Sequence, residues 1–338
     1  MAAKVYDARA YLREDVRGGR ILVIHQGALG DFILTLPAIA AIKETLDPKW
    51  LELMGQPWVL SLADCPQYAD RICDINKADM AFFFVEDAPL PERLIKYFEG
   101  FDAAFVFLGS RIFYGNLLRA GVKRVFQLAP FPVTRIHVTD HHLRSLSDIG
   151  IFTSVSEPGI FLREEEKNWA QELVFSNGWR DKDIIAIHPG AGGSKKVWPR
   201  FSDLGRILAG KSQTLLIVQG PADDKTVRET LDGLCGISPY IIHDLPVTRL
   251  AALLSHAGLF IGNDSGVTHL AAALGLPTVA IFGPTDPMVW GPRGRQAFWL
   301  MAETGCSPCD REIQRACRRQ RCLENISVED VLALIEKI

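Results

Sequence analysis

The sequence has no apolar run long enough to cross a membrane. Its 338 residues are 48% hydrophobic and 23% charged, which is an ordinary balance for a globular protein, whereas a membrane-spanning helix needs about 18 consecutive apolar residues. The segment Met1–Arg20 is mixed and charged and lacks the apolar centre of a signal peptide. We therefore expect a cytoplasmic protein, and at roughly 150 residues per domain the length indicates two domains.

A strong charge of either sign is also missing. The formal net charge is −3, so the bulk composition predicts no nucleic-acid partner. Cysteine is sparse over most of the chain, and Cys65, Cys73 and Cys235 are scattered. The total of seven cysteines is an odd number, and this usage fits a reducing compartment.

Two common nucleotide-binding fingerprints are absent. Gly205–Ser212 matches the P-loop formula, but its apolar residues have helical spacing and the strand follows it, whereas a P-loop follows a strand and opens a helix. Gly27–Gly30 has the wrong spacing for the dinucleotide fingerprint, which argues against a nicotinamide dehydrogenase. No Asp-x-Asp motif is positioned to hold a divalent ion on phosphates.

The sequence does contain two series of alternating strands and helices. The first begins with the continuous apolar strand Arg20–His25, followed by a helix to about Leu46 that Pro37 either kinks or delays. The second begins with the strand Ile184–His188, and the connection lies within Phe152–Asp183. This alternation predicts an α/β protein with parallel sheets.

Glycine-rich turns follow several of these strands. They lie at Gly27–Gly30, Gly190–Gly193, Gly220 and Gly262–Gly266. Ligands of open α/β sheets bind at the carboxyl ends of the strands. We therefore expect the site in a cleft between two facing domains.

The turn after Ile184–His188 has the composition of a phosphate site. Its glycines, including Gly192, let backbone N–H groups approach phosphate oxygens, and Ser194 and Lys196 follow them. A flexible surface turn is an equal alternative for this segment taken alone.

The turn after Phe260–Gly262 combines polar groups with the start of a helix. Asp264 or Ser265 can cap that helix, and its N-terminus, beginning at Gly266, favours an anion. His269 falls in the first turn, within reach of a bound phosphate. Plain capping is the alternative for this motif.

Asp31 follows Gly30 at the start of the first helix. A capping aspartate is the common reason for an acidic residue at such a position. A general base is the rarer one.

Taken in order along the chain, these motifs resemble glycosyltransferase family 9. The resemblance rests on strings that run from residue 20 to about 335. They are Ile21–Ile24, Leu29-Gly-Asp31, Leu36-Pro-Ala38, Leu53–Trp58, His188-Pro-Gly190, Lys196-x-Trp198-Pro199, Gly262–Gly275 and Phe282–Pro292.

The resemblance implies a GT-B fold, with two Rossmann-like domains whose parallel sheets face a central cleft. Residues 1–165 would bind the acceptor and residues 166–338 the nucleotide-sugar donor, with the last helix packing back on the first domain. The implied reaction moves heptose, with inversion, from ADP-L-glycero-D-manno-heptose to the lipid A-based inner core of lipopolysaccharide at the cytoplasmic face of the inner membrane. No cofactor is implied for catalysis.

By matched position, Asp31 would be the catalytic base. The donor's diphosphate and sugar would be held by Lys196, Asp264, Ser265, Gly266 and His269, with Gly192 and Ser194 contributing from their turn. Asp224 is a looser match to an acidic residue that binds the nucleotide ribose.

Two departures from the family pattern bear on specificity. The loop before Leu29 is Gln26-Gly-Ala28 where members often carry serines, and the Thr pair of first-step heptosyltransferases is missing after His188. These favour a later-step or divergent member. A different nucleotide sugar or acceptor, an epimerase on the same fold and a non-catalytic binding protein remain alternatives.

Two further groups of residues invite a function. Cys306, Cys309, Cys317 and Cys322 could supply four thiolates to zinc or iron, although only the first pair is a Cys-x-x-Cys and reduced structural thiols are the alternative.

An anionic acceptor would also need cations in the first domain. Arg111, Arg119, Lys123, Arg124, Arg135 and Arg144 are available there, with an ordinary solvated face as the alternative.

Overall fold

A computed structural model describes residues 16–210 and 214–338, which divide into two compact units between Ser156 and Glu157. Lys211 and Ser212, which end the P-loop-like string, lie outside the described residues. Among the described residues, no helix is both long and apolar enough to span a bilayer.

The first unit is built on a five-stranded parallel sheet in the order β3-β2-β1-β4-β5. Its central strand is fully apolar between its end residues, as expected for a strand covered on both faces. The strands are β1 (Arg20–His25), β2 (Trp50–Gly55), β3 (Arg71–Asp74), β4 (Ala103–Phe107) and β5 (Val125–Gln127).

Helices cover this sheet and pack on its apolar core. Short 3-10 turns lie at Ser61–Ala63 and Ala78–Phe84. The helices are α1 (Leu29–Leu46), α2 (Pro57–Leu60), α3 (Glu92–Phe98), α4 (Arg111–Arg119) and α5 (Val138–Ser147).

Helix α1 neither starts late nor breaks at its proline. It runs through Pro37, and all its residues from Phe32 to Ile39 are buried. Near the backbone bond that the proline removes, the hydroxyl of Thr139 on α5 donates to the carbonyl of Leu34 at 2.8 Å. Tertiary packing therefore holds a helix that the local sequence weakens.

The second unit contains a six-stranded parallel sheet in the order β11-β10-β9-β6-β7-β8. β6 pairs with β9 through a register shift at Ile184 and Ile185. The strands are β6 (Ile184–His188), β7 (Thr214–Val218), β8 (Tyr240–Ile242), β9 (Ala257–Asn263), β10 (Thr278–Phe282) and β11 (Ala297–Met301).

Nine helices of the described chain belong to the second unit, together with a 3-10 turn at Ser194–Lys196. They are α6 (Glu164–Ser176), α7 (Phe201–Ala209), α8 (Asp224–Gly233), α9 (Val247–Leu254), α10 (Gly266–Ala273), α11 (Pro287–Trp290), α12 (Arg311–Ala316), α13 (Arg321–Glu324) and α14 (Val328–Ile335).

Two features of the second unit bear on the sequence-based expectations. Gly205 lies inside α7, so the P-loop-like string is helical there, as its apolar spacing predicts. The last helix, α14, was expected to pack back on the first domain. Its Val328 and Val331 are buried in the core of the second unit with Ile187, Leu323 and other apolar side chains, and the packing on the first domain stays a prediction.

Candidate active site

The carboxyl edge of the second sheet gathers the polar turns into one place. Because β7, β6, β9 and β10 are neighbours in the sheet, the turns that follow them must lie side by side. The turn after β6, residues 189–200, is called the glycine loop below. The turn after β10, residues 283–286, is called the β10 turn.

Lys196 of the glycine loop forms an ion pair with Asp264 at the end of β9. The lysine Nζ lies 2.6 Å from Asp264 Oδ2, and the Thr285 hydroxyl donates to the same oxygen at 2.6 Å. His269 Nε2 is 4.0 Å from the other carboxylate oxygen. The sequence-predicted residues Lys196, Asp264 and His269 are therefore brought together, and Thr285 joins them.

Asn263 fixes the glycine loop against the end of β9. Its amide nitrogen donates to the carbonyls of Pro189 and Gly190 at 2.8 and 3.1 Å, and its oxygen accepts the Trp198 N–H at 3.0 Å. Asn263 is fully buried. These three bonds use donors and acceptors that the irregular loop backbone would otherwise leave unpaired.

A buried chain of hydrogen bonds joins Asp223, His188 and Ser265. His188 Nε2 lies 3.0 Å from Asp223 Oδ2, and since a carboxylate only accepts, that nitrogen carries a proton. His188 Nδ1 lies 3.0 Å from the Ser265 hydroxyl. Burial alone would raise the pKa of Asp223, but the His188 imidazole and the N–H groups of Gly220 and Ala191 outweigh it, so the pKa lies below its usual value.

Glycine is required at positions 190 and 220, where two turns pack against Asp223. A Cβ at Gly190 would lie 2.1 Å from Asp223 Cγ, and one at Gly220 would lie 2.7 Å from Asp223 Oδ2. The two turns therefore close on the carboxylate with no room for a side chain. Gly192 differs, because a Cβ there would meet nothing within 4 Å, and it is exposed, as is Ser194.

Ser265 is the N-cap of α10, and its hydroxyl is hydrogen-bonded to other groups of the protein. Its Oγ lies 3.0 Å from both His188 Nδ1 and Thr268 Oγ1, and it accepts the Thr268 N–H at 3.4 Å. A hydroxyl has one proton and two lone pairs, so these partners fill its capacity. What this helix start can offer an anion is its first backbone N–H groups, including that of Gly266.

The two consecutive aspartates after Gly220 have different environments. Asp223 is buried, whereas Asp224, the sequence-predicted ribose ligand, is exposed and accepts a hydrogen bond from Gln219 Nε2 at 2.7 Å. Asp223, Asn263 and Thr285 were not singled out from the sequence. Their one signal was that polar residues lie at strand ends or within five residues after them.

In the first unit, Asp31 lies in the first turn of α1. Its Oδ2 accepts the Ala28 N–H at 3.2 Å, which closes a capping interaction at the helix start. A Cβ at Gly27 would lie 2.9 Å from Asp31 Cβ and 2.7 Å from His25 Cε1. The loop therefore needs glycine at position 27 to pass between these two side chains.

Two neutral histidines lie beneath this loop. Burial, and then the nearby His142, lower the pKa of His25 to about 3. Burial also lowers the pKa of His142 to about 4, although its bond to the Pro130 carbonyl opposes this. A group with so low a pKa is a poor proton acceptor near neutral pH. His25, which adjoins the loop in sequence, is thus unsuited to replace Asp31 as a base.

The six basic residues considered for the acceptor lie in different parts of the first unit. Lys123 pairs with Asp102 at 2.6 Å, and it and Arg124 precede β5, at the amino edge of the sheet. Arg119 donates to Asn116 and to the Ala88 carbonyl. Three exposed arginines follow the carboxyl ends of β4 and β5 in the chain, namely Arg111, Arg135 and Arg144.

The four C-terminal cysteines are neighbours, but their geometry does not support the predicted metal site. Within residues 16–210 and 214–338, no three or more His, Cys, Asp or Glu side chains form a group that could hold a metal ion. Burial, and then the thiols of Cys306, Cys322 and Cys317, raise the pKa of Cys309 to about 11. At neutral pH this group is a protonated thiol.

Comparison with known proteins assigns the family. The family model of glycosyltransferase family 9 (heptosyltransferase) matches residues 135–318. Lipopolysaccharide heptosyltransferase 3 of Escherichia coli K12 is 26% identical over 333 residues, which cover 91% of this chain and 95% of that protein.

Solved structures confirm the expected fold class. A family 9 glycosyltransferase from Veillonella parvula superimposes with a TM-score of 0.77 at 20% identity, covering 96% of this chain and 98% of that one. The E. coli ADP-heptose lps heptosyltransferase II gives a TM-score of 0.70 at 19% identity, covering 94% and 98%. The chain has the GT-B fold of two parallel-sheet α/β domains and belongs to glycosyltransferase family 9, the heptosyltransferase family.

Proposed function

We propose that this enzyme transfers heptose from ADP-L-glycero-D-manno-heptose to the inner core of lipopolysaccharide, with inversion at the anomeric carbon. The donor would bind the second unit and the acceptor the first. The names of the E. coli relatives, a lipopolysaccharide heptosyltransferase and an ADP-heptose lps heptosyltransferase, support this choice of substrates.

The observation that carries the proposal is the shared position of Lys196, His269 and the start of α10. A lysine ammonium, an imidazole and the N-terminus of an eight-residue helix meet at one carboxyl edge. Each favours an anion, and together they fit the two negative phosphates of a nucleotide diphosphate. Asp264 and Thr285 would then orient the sugar, and exposed Asp224 would accept from the ribose hydroxyls.

The glycine loop suits the same ligand. Gly192 and Ser194 are exposed, and no atom of the part of the chain that the structure describes lies within 4 Å of a Cβ placed at Gly192. The loop can therefore bring backbone N–H groups and one hydroxyl to phosphate oxygens without displacing other parts of the unit.

Asp31 would act as the general base. As the acceptor oxygen attacks the anomeric carbon, its proton passes to the Asp31 carboxylate and the bond from that carbon to the diphosphate oxygen breaks. ADP leaves with the bonding electrons. Lys196, His269 and the start of α10 stabilise its developing negative charge.

The acceptor proposal rests on the first unit. Arg111, Arg135 and Arg144 are exposed, and Phe131 and Val133 expose apolar side chains beside Arg135. A surface that combined such cationic and apolar side chains would fit an anionic sugar core attached to lipid. It would place the working enzyme at the cytoplasmic face of the inner membrane.

Steady-state kinetics with purified protein tests this function. ADP-heptose, ADP-glucose and UDP-glucose are offered as donors, each with truncated lipopolysaccharide cores that differ by one sugar. Turnover with ADP-heptose and an inner-core acceptor is the expected result. Turnover with a different donor or acceptor would show that the proposed substrates are wrong. ADP-heptose binding without transfer to any core would indicate a non-catalytic binding protein.

A further inference from the structure

The four-cysteine motif has no role in the proposed reaction, yet its surroundings connect it to the donor site. The cysteine segment is defined here as residues 304–326, which include α12, α13 and the four cysteines. It contacts both the glycine loop and the β10 turn.

The first connection is Lys195, the neighbour of Lys196. Its Nζ donates to the carbonyls of Gln314 and Arg315, both at 2.6 Å. These carbonyls belong to the last turn of α12 (Arg311–Ala316), where a helix leaves carbonyls unpaired and carries partial negative charge. The two consecutive lysines therefore face different partners, one in the donor site and one in the cysteine segment.

Two more bonds join the glycine loop to the end of the same segment. Trp198 Nε1 donates to the Ile326 carbonyl at 3.0 Å, and the Arg200 guanidinium to the Glu324 carbonyl at 3.5 Å. The Trp198 indole is almost fully buried, so its N–H must find an acceptor there. The glycine loop is thus held by the cysteine segment as well as by Asn263.

The β10 turn rests on the same segment. The Ser307 hydroxyl donates to the Gly283 carbonyl, and the Cys309 N–H donates to the Pro284 carbonyl at 2.8 Å. Leu323 packs so closely that a Cβ at Gly283 would lie 2.6 Å from its Cγ. Thr285, which follows Pro284 in this turn, donates to Asp264.

We propose that the cysteine segment is the structural support of the donor-binding groups and that Lys195 is the positioning residue linking it to the glycine loop. This inference rests on the proposed function for the identity of the ligand. Lys195 itself touches no substrate. It holds the turn that presents Lys196. The segment also positions the β10 turn, whose Thr285 donates to Asp264.

The cysteines belong to this support through local contacts. The Cys309 thiol donates to the Cys306 carbonyl at 2.9 Å, and Gln320 Nε2 lies 4.0 Å from Cys317 Sγ. Cys322 is buried in the same core as Trp198. Of the four cysteines, Cys322 is therefore the one buried in the core, whereas Cys309 and Cys317 are partly buried and Cys306 is exposed.

Calorimetric titration with ADP of the intact protein and three variants tests the proposal. Lys195→Met should weaken ADP binding five- to tenfold, whereas Lys195→Arg, which can still donate to both carbonyls, should retain most of the affinity. Lys182→Met is the matched control. Lys182 Nζ donates to the Ser255 carbonyl at 2.7 Å beyond the end of α9, at the opposite edge of the sheet, so its loss should leave ADP affinity unchanged. Lys195→Met binding ADP like the unmodified protein would overturn the proposal.

Hydrogen exchange read by mass spectrometry separates this inference from the donor assignment. Without any ligand, Lys195→Met should speed amide exchange in the glycine loop and the cysteine segment together, and Lys182→Met in neither. If the unmodified protein fails to bind ADP, the proposed donor is wrong. The comparison of exchange rates without ligand then tests by itself whether the cysteine segment supports the glycine loop. Faster exchange confined to the residues next to position 195 would contradict it.

Discussion

The ammonium group of Lys196 is held by Asp264, with the lysine Nζ 2.6 Å from Asp264 Oδ2. The carboxylate is buried, and the lysine is its partner together with Thr285. In the proposed donor complex, a bound diphosphate would share this lysine with Asp264. Loss of Lys196 would then remove an attraction for phosphate and would also leave the buried Asp264 carboxylate without its cation.

Lys196→Met should weaken ADP binding by more than tenfold, or about 1.4 kcal/mol. The change removes an attraction and also leaves the Asp264 carboxylate uncompensated beside the phosphates. Adding Asp264→Asn should therefore recover part of the loss. Calorimetry on the two single variants and the double variant measures this coupling. Strictly additive losses would contradict it.

Asp223 and Asp224 should respond in opposite ways to replacement by alanine. Asp223→Ala leaves His188 without its buried carboxylate and should lower the free energy of unfolding by about 2–4 kcal/mol. Asp224→Ala removes an exposed group, so stability should change by no more than about 0.5 kcal/mol, while the donor KM rises. Urea denaturation and donor kinetics measure the two effects. Equal destabilisation by both changes would refute the distinction.

This pair also marks where prediction from the sequence ends. The strands β1, β6 and β10 are continuous apolar runs, and their bounds follow from that pattern alone. Which of the two adjacent aspartates is buried depends on the contact of Asp223 with His188, 35 residues away in the chain. No local pattern contains that information.

The same limit applies to contacts that span the chain. Pro37 weakens the prediction of a helix, and the stabilising bond comes from Thr139, 105 residues after Leu34. The link from Lys195 to Gln314 spans 119 residues. The sequence therefore predicted which turns carry polar groups. Which side chain of each turn is buried, and which partner it contacts, could be read only from the structure.

Acid should destabilise the first unit through His25 and His142. Their folded-state pKa values, about 3 and about 4, lie below the value of about 6.5 in an unfolded chain. The unfolded state therefore takes up protons first, and stability is lost as the pH falls below about 6.5, by up to about 1.4 kcal/mol per pH unit for each histidine. The loss ends near the folded-state values.

Urea denaturation between pH 7 and pH 5 measures this slope. His142→Gln keeps a donor for the Pro130 carbonyl but cannot titrate, so the slope should become shallower. An unchanged slope in His142→Gln would show that this histidine is not the source.

The role of Asp31 is tested most directly by the turnover of Asp31→Asn. Asparagine keeps an acceptor for the Ala28 N–H and serves helix starts well, so stability and ADP affinity should stay close to those of the unmodified enzyme. An amide cannot accept the acceptor's proton, so we predict a kcat lower by roughly 10²–10⁴. Near-normal kcat in a stable Asp31→Asn protein would contradict the account and reduce Asp31 to a helix cap.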